Sequence, residues 1–292
     1  MSLLTTVRRE PERLFAYLFI APAILLFLTF RLYPLIIGAQ YSFTDWDGVT
    51  APVFVGFRNY IELFTVDDTF RASMINTVIL VATLPIWVLL PLVLAALIHF
   101  GVPFGGFFRV AYFFPLVLSS VIIATMFGMI LRYDGILNQA LDLFGVAPID
   151  WLGGKNTALL CVIFVAIWAH FGMSVLIYLS GLATVPPEVV DAAKIDGANL
   201  RQVIFLVVMP MMMPIVQFIT VTSTITILTS LFGLIYVMTG GGPGTATYMP
   251  EYLIWLKQGE SNRLGYASAM SMILLLFVAV VGVLQIKVMN KE

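Results

Sequence analysis

The residues that could do chemistry gather in a few apolar stretches. His170, Ser174 and Tyr178 recur every four residues, on one drifting helical face, with Trp168 beside it. A later stretch carries Gln217, Thr220, Thr222, Ser223, Thr224, Thr226, Thr229 and Ser230, and a third offers Ser268 and Ser271. Hydroxyls and amides beside an indole suit a polyhydroxylated molecule, whose O–H edges hydrogen-bond while its C–H faces lie on rings. The same hydroxyls can instead bond to their own helix backbone or to a neighbouring helix. Arg31 and His170 could each pair a carboxylate or phosphate, or hold a structural partner.

Covalent chemistry is not expected. No nucleophile stands with a base, and His99 and His170 are the only histidines, too few for a histidine-carboxylate metal cluster. Cys161, the only cysteine, lies in an apolar run and leaves neither an intrachain disulfide nor a thiolate metal site. Gly153-Gly154-Lys155-Asn156 lacks both the leading glycine and the hydroxyl of a phosphate-binding loop, so no cofactor is expected in this chain.

Composition dictates the elements that must position these groups. Of 292 residues, 61% are hydrophobic and only 11% charged, with a mean hydropathy of +1.02. A soluble domain is about half apolar and about a quarter charged, so lipid must be the solvent. The formal net charge of -1 gives no clustered basic face for nucleic acid.

A hydrocarbon core of about 30 Å needs about 20 apolar helical residues. The stretches that qualify are 14–39, 73–98, 107–131, 157–182, 203–236 and 267–289, giving an all-α membrane protein of six transmembrane helices. Pro22, Pro34, Pro85, Pro91, Pro115, Pro210 and Pro214 fall inside them and are expected to kink rather than terminate the spans. Pro210 and Pro214 make the start of the fifth stretch a separate interfacial helix, with the span itself over about 213–232.

Arg8, Arg9 and Arg13 precede a run too long for a signal core, which reads as a retained first span. Those arginines, with Arg109, Lys194, Arg201, Lys287 and Lys291, share the terminus side; Arg58, Arg71, Arg132, Lys155, Lys257 and Arg263 sit in longer loops opposite. The denser set places both termini in the cytoplasm. The opposite loops hold Asp45, Asp47, Glu62, Asp67, Asp68, Asp134, Asp142, Asp150, Glu251 and Glu260, a face that suits a soluble partner. Segments 1–13 and 288–292 are expected as tails, 14–70 as first span plus external loop, and 71–287 as the core.

The most informative segment is the loop 185–210 between the fourth and fifth spans. Pro186 and Pro187 can open a helix whose N-terminal dipole Glu188 and Asp191 complement. Gly197 can close it in a left-handed cap. Ala192 and Ala193 let another protein surface approach closely. This loop resembles the cytoplasmic Glu-Ala-Ala loop of the inner-membrane permeases of binding-protein-dependent ABC importers, through Asp191-Ala192-Ala193, Asp196-Gly197-Ala198 and Met209-Pro210. Asp191 stands where that family has Glu.

The resemblance extends along the chain to the carbohydrate branch, specifically the maltose-permease-like first subunit. It is carried by Tyr33-Pro34, Ser42-Phe43-Thr44-Asp45-Trp46, Gly56-Phe57-Arg58-Asn59-Tyr60, Leu63-Phe64, Asn76-Thr77 and Phe114-Pro115. Gly135 with Asn138, 239–243 and 265–269 complete it. It implies a type I importer fold in a bacterial inner membrane and alternating access. The implied partners are a second permease, two ATPase subunits that hold ATP and Mg, and an extracytoplasmic sugar-binding protein. It assigns ATPase coupling to Glu188, Asp191, Ala192, Ala193, Asp196, Gly197 and Pro210. Gly240 to Gly242 are expected to form a flexible external turn, which the resemblance places against the binding protein. An ion-gradient-driven transporter is the alternative, but it would show an intramembrane carboxylate relay, and the central stretches hold no Asp or Glu.

Overall fold

A computed structural model describes residues 9–101, 105–259 and 262–289, with residues 9–14, 16, 105 and 107–109 described as backbone only. Arg8 and Lys291, and the side chains of Arg9, Arg13 and Arg109, lie outside the described residues. The chain divides into two compact units, one of 1–65 with 257–273 and the other of 66–256 with 274–292.

In the first unit, α1 (Arg9–Phe27) runs through a wide π turn (Leu28–Leu32) into α2 (Tyr33–Tyr41). Pro34 has no N–H to offer the preceding turn, and the chain widens just before it. The resulting span Tyr17–Tyr41 has none of its apolar window buried inside the chain. A short antiparallel hairpin follows, β1 (Thr44–Asp45) on β2 (Val53–Phe54), with Thr44 opposite Phe54. Asp47 shapes its turn by accepting from Thr50 N at 2.8 Å, Val49 N at 2.9 Å and Thr50 Oγ1 at 2.8 Å. Those donors, the Thr50 amide foremost, pull the Asp47 carboxyl down to about 2.

Then comes α3 (Arg58–Thr65), pinned by its own polar groups. Asn59 Nδ2 donates to the Ser42 and Thr44 carbonyls at 3.0 and 2.8 Å, and Tyr60 Oη donates to Ser42 Oγ at 2.7 Å. Arg263 donates bidentately to Glu62, both bonds 2.8 Å, and lies 4.1 Å over the Tyr266 ring. The Glu62 carboxylate raises the Arg263 pKa. Gly265 N–H donates to the Trp46 carbonyl at 3.1 Å. A Cβ at Gly265 would run into the Thr44 carbonyl, so only glycine fits.

The second unit begins with α4 (Asp68–Ala82), capped by Asp67, and α5 (Leu84–His99), which form one span Asp68–His99 interrupted at Thr83, two residues before Pro85. Next are α6 (Gly105–Val117) and α7 (Ser120–Ile130). The sequence stretch 107–131 reads as one kinked span. It is instead broken, Val110–Val117 meeting Ser120–Ile130 at 111°. Ser119 causes the break by leaving the helical region and accepting the Ile122 N–H at 3.3 Å as an N-cap.

After α8 (Ile136–Asp142) comes α9 (Lys155–Leu182), whose 28 residues are long enough to cross a membrane at about 1.5 Å each. Its Gly172 lets α6 approach closely, since a Cβ there would strike the Tyr112 carbonyl. The chain continues through α10 (Pro187–Ile195), α11 (Leu200–Gln202), a second π segment (Val203–Val208) just before Pro210, and α12 (Met209–Met211). At Met212 it bends by 84° into α13 (Met213–Thr229), the separate helix and span expected from Pro210 and Pro214. Finally come α14 (Phe232–Met238), α15 (Pro250–Gly259) and α16 (Leu264–Met289). Among the described residues four helices are long and apolar enough to cross a membrane, and up to six spans result when each bent pair counts as one.

Two apolar clusters hold this unit together. One joins α7, α9, α14 and α15 through Ile123, Val162, Ala166, Leu231, Ile235 and Tyr252. The other joins α5, α9, α10 and α13 through Leu92, Val175, Tyr178, Val190, Met212 and Ile219. Helix α9 runs through both.

Candidate functional site

The loop 185–210 is fixed at each corner by backbone chemistry. Pro187 occupies the first turn of α10 and Glu188 lies at its N-terminal end. At the other end Gly197, at φ +86°, donates to the Lys194 carbonyl at 3.0 Å, and Ala198 donates to the Ala193 carbonyl at 2.9 Å. That pair of bonds is a Schellman closure, which needs a left-handed residue. A capping box follows: Gln202 N donates to Asn199 Oδ1 at 2.9 Å and Asn199 N to Gln202 Oε1 at 2.8 Å.

The two faces of α10 differ. Val190 is buried and Ala193 half-buried against the α5/α9/α13 cluster. Glu188, Val189, Asp191, Ala192, Ile195, Asp196 and Gly197 are exposed, Ile195 at 86%. The two alanines therefore divide, with Ala192 outward and Ala193 packed inward. Lys194 Nζ reaches Asp191 Oδ1 at 3.4 Å, so the carboxylate already has a partner within its own helix. Pro210 is exposed in the short α12 that ends before the bend. A cavity of about 310 Å³ lies behind this helix, lined among others by His99, Leu182, Val190, Asp191 and Lys194.

Hydrogen bonding sorts the polar span residues. Thr220, Thr222, Thr224 and Thr229 spend their donors on carbonyls of their own helix, as does Ser271 on Ala267. Gln217 Nε2 donates to the Met289 carbonyl at 3.3 Å, and Gln285 Nε2 donates to Thr224 Oγ1 at 2.6 Å. These two amides fasten α13 to α16. Ser174, Ser223, Thr226 and Ser230 have no hydrogen-bond partner among the described side chains.

Aromatic candidates are sorted too. Tyr178 is wholly buried in the α5/α9/α13 cluster and its hydroxyl has no partner among the described residues, so it lines no open surface. Trp168 is half-buried, with its ring edge-on to Phe127 at 5.1 Å. His170 Nδ1 bonds the Ala166 carbonyl at 2.9 Å beside Trp87, 5.7 Å between rings, and its Nε2 has no partner among the described residues. Arg31 lies in the π turn of the first unit, as Ser271 lies in that unit's part of α16. Gln285 was not singled out from the sequence, although a lone amide in an apolar 26-residue helix is a readable signal.

The glycine-rich segment is held firmly rather than forming a flexible turn. Asn76 Nδ2 donates to the Thr245 and Tyr248 carbonyls, both at 3.0 Å. Thr247 Oγ1 bonds Thr239 Oγ1 at 2.7 Å and the Gly242 carbonyl at 2.9 Å, and Tyr252 Oη donates to Gly240 O at 2.8 Å. Next to it Glu251 accepts Leu231 N–H at 3.1 Å and Phe232 N–H at 3.3 Å, capping α14. Burial raises the Glu251 pKa against the opposing pull of those two amides.

Bent-pair spans, an exposed helix clamped between two capped turns and unspent hydroxyls on α9 and α13 together describe a membrane transport subunit. The sequence pattern of the family described as "Binding-protein-dependent transport system inner membrane component" matches residues 48–288, and the chain belongs to that family. It is 32% identical to the multiple sugar-binding transport system permease protein MsmF of Streptococcus mutans, over 98% of this chain and 99% of that one. It is equally 32% identical to the lactose transport system permease protein LacF of Rhizobium radiobacter, over 96% and 97%. The fold matches a chain of a bacterial ABC transporter that imports the acidic polysaccharide alginate, with TM-score 0.83, 22% identity, and coverage of 100% and 99%. The fold is thus that of a type I ABC importer permease.

Proposed function

We propose that this chain is one of two permeases in an ATP-driven importer of a carbohydrate or carbohydrate derivative, delivered by an extracytoplasmic binding protein. The full-length correspondence to permeases of sugar systems carries this reading. Both termini face the cytoplasm, in a bacterial inner membrane. The exposed face of α10 (Glu188, Asp191, Ala192, with Asp196 and Gly197) docks on an ATPase subunit, which supplies the nucleotide site and its Mg. Ala193 contributes from the packed side, and Pro210 sets the bend that returns the chain to the membrane.

Alternating access follows from what α10 is attached to. Closing of the ATPase dimer moves α10, and Val190 and Ala193 carry the displacement into the cluster shared by α5, α9 and α13. Ligand and nucleotide bias two existing states rather than push one. Ser174 and His170, with Thr226 and Ser230, are the groups free to hydrogen-bond a passing polyol, whereas Ser223, like Tyr178, is buried in the bundle. Gln217, Thr220, Thr224 and Ser271 serve packing first, and Trp168 offers a partly accessible ring.

In proteoliposomes holding the whole transporter, Asp191→Arg should abolish binding-protein- and sugar-stimulated ATP hydrolysis while the subunit remains in the membrane. Normal stimulation in that variant refutes the docking assignment. Uptake that persists when the ATPase sites are disabled refutes the ATP-driven reading altogether.

A further inference from the structure

We propose that α3 is an interfacial anchor whose outer face lies in lipid, in the outer leaflet on the cytoplasmic placement of the termini proposed above. Helix α3 has three kinds of face. Asn59 and Leu63 are buried in the first unit, while Arg58, Glu62 and Thr65 form a polar side. The remaining face, Ile61 and Phe64 with Phe57 just before the helix, follows the one-turn, two-turn spacing of a single helical stripe. These residues are 68%, 61% and 67% exposed, and Phe54 of the hairpin adds another ring at 77%. So apolar an exposed stripe outside the span itself matches an apolar environment rather than water.

The depth of α3 identifies that occupant. Asn59 ties it to the Ser42 and Thr44 carbonyls, immediately beyond the end of α2, and Glu62 ties it to Arg263, one residue before α16 begins. Both belong to segments long and apolar enough to cross a membrane. A helix clamped between the ends of two spans is held at the boundary between acyl chains and headgroups. Tyr41 stacked on Trp46, 4.1 Å between centroids, lies in the same unit; such rings concentrate at that boundary. A short helix with aromatic and aliphatic residues on one side and charge on another lies flat in that layer. The stripe contains no charged residue, so the acyl-chain boundary rather than an anionic headgroup is the match.

Spin labels at Ile61→Cys and Phe64→Cys test this in a Cys161→Ala background, which removes the only native thiol. The labelled permease is assembled into the complete transporter in phosphatidylethanolamine/phosphatidylglycerol vesicles. Accessibility to oxygen and to a water-soluble nickel chelate is then read by electron paramagnetic resonance, with Thr65→Cys as the polar-side control. At 61 and 64 oxygen should be favoured, at 65 the nickel chelate, and adding the binding protein should change neither. Preference for the chelate at 61 and 64 overturns the proposal. Shielding from both reagents, whether constant or appearing only with the binding protein, assigns the face to a protein partner and overturns it equally.

Discussion

Replacing Gly197 isolates one backbone requirement of the loop 185–210, proposed above to dock on the ATPase. The residue sits at φ +86°, and a Cβ added there would meet nothing within 4 Å. The penalty for Gly197→Ala is therefore conformational only, roughly 1–2 kcal/mol for a left-handed residue carrying a Cβ. That is a factor of about 5–30 in the ratio of closed to open loop. The amides of Gly197 and Ala198, which donate to Lys194 and Ala193, report on the closure directly. Their hydrogen exchange in the assembled transporter should speed up by that factor in the alanine variant. Gly197→Asn should recover most of the protection, because asparagine tolerates the left-handed region. ATPase stimulation should fall in the same order. Unchanged exchange in the alanine variant, or an asparagine variant no better than alanine, would refute the reasoning.

Two further outcomes follow from packing and charge. Gly172→Ala forces α6 away from α9 because its Cβ meets the Tyr112 carbonyl, and should cost about 1–3 kcal/mol, seen as a lower midpoint of thermal unfolding in detergent. Glu251, with its pKa raised by burial, is held better when protonated. Its contribution is fully present below the ordinary carboxyl value of 4.5 and is lost as pH rises through the raised folded value. Stability measured upward from pH 4.5 should show that loss in the wild type and not in Glu251→Gln; parallel profiles would exclude the role.

Hydropathy and proline placement made much of the fold legible, because span length and missing N–H donors are local properties. The bend at Met212 is an instance, expected from Pro210 and Pro214. The break at Ser119 was not legible, since a serine beside a proline kink can bond its own helix or cap the next one, and only the backbone decides. The same ambiguity hid the division of the hydroxyls. Thr220 and Ser223 look alike in sequence, yet one is spent on Val216 and the other has no partner among the described side chains. Asn76 could not be linked to the glycine segment because its acceptors, Thr245 and Tyr248, lie 169 and 172 residues away. Helix α10 was readable for the opposite reason, since its proline start and glycine end are close in sequence.

The two-faced build of α10 separates what the subunit owes to itself from what it owes to others. Val190 and Ala193 answer to the chain's own interior, while Glu188, Asp191, Ala192 and Ile195 are exposed, Asp191 paired with Lys194 of the same helix. Under the docking proposed above, those four outward positions can drift in step with an ATPase without disturbing the bundle. Rewriting them alone gives a compact handle for making a transporter recognise one engine and ignore the others in the same cell.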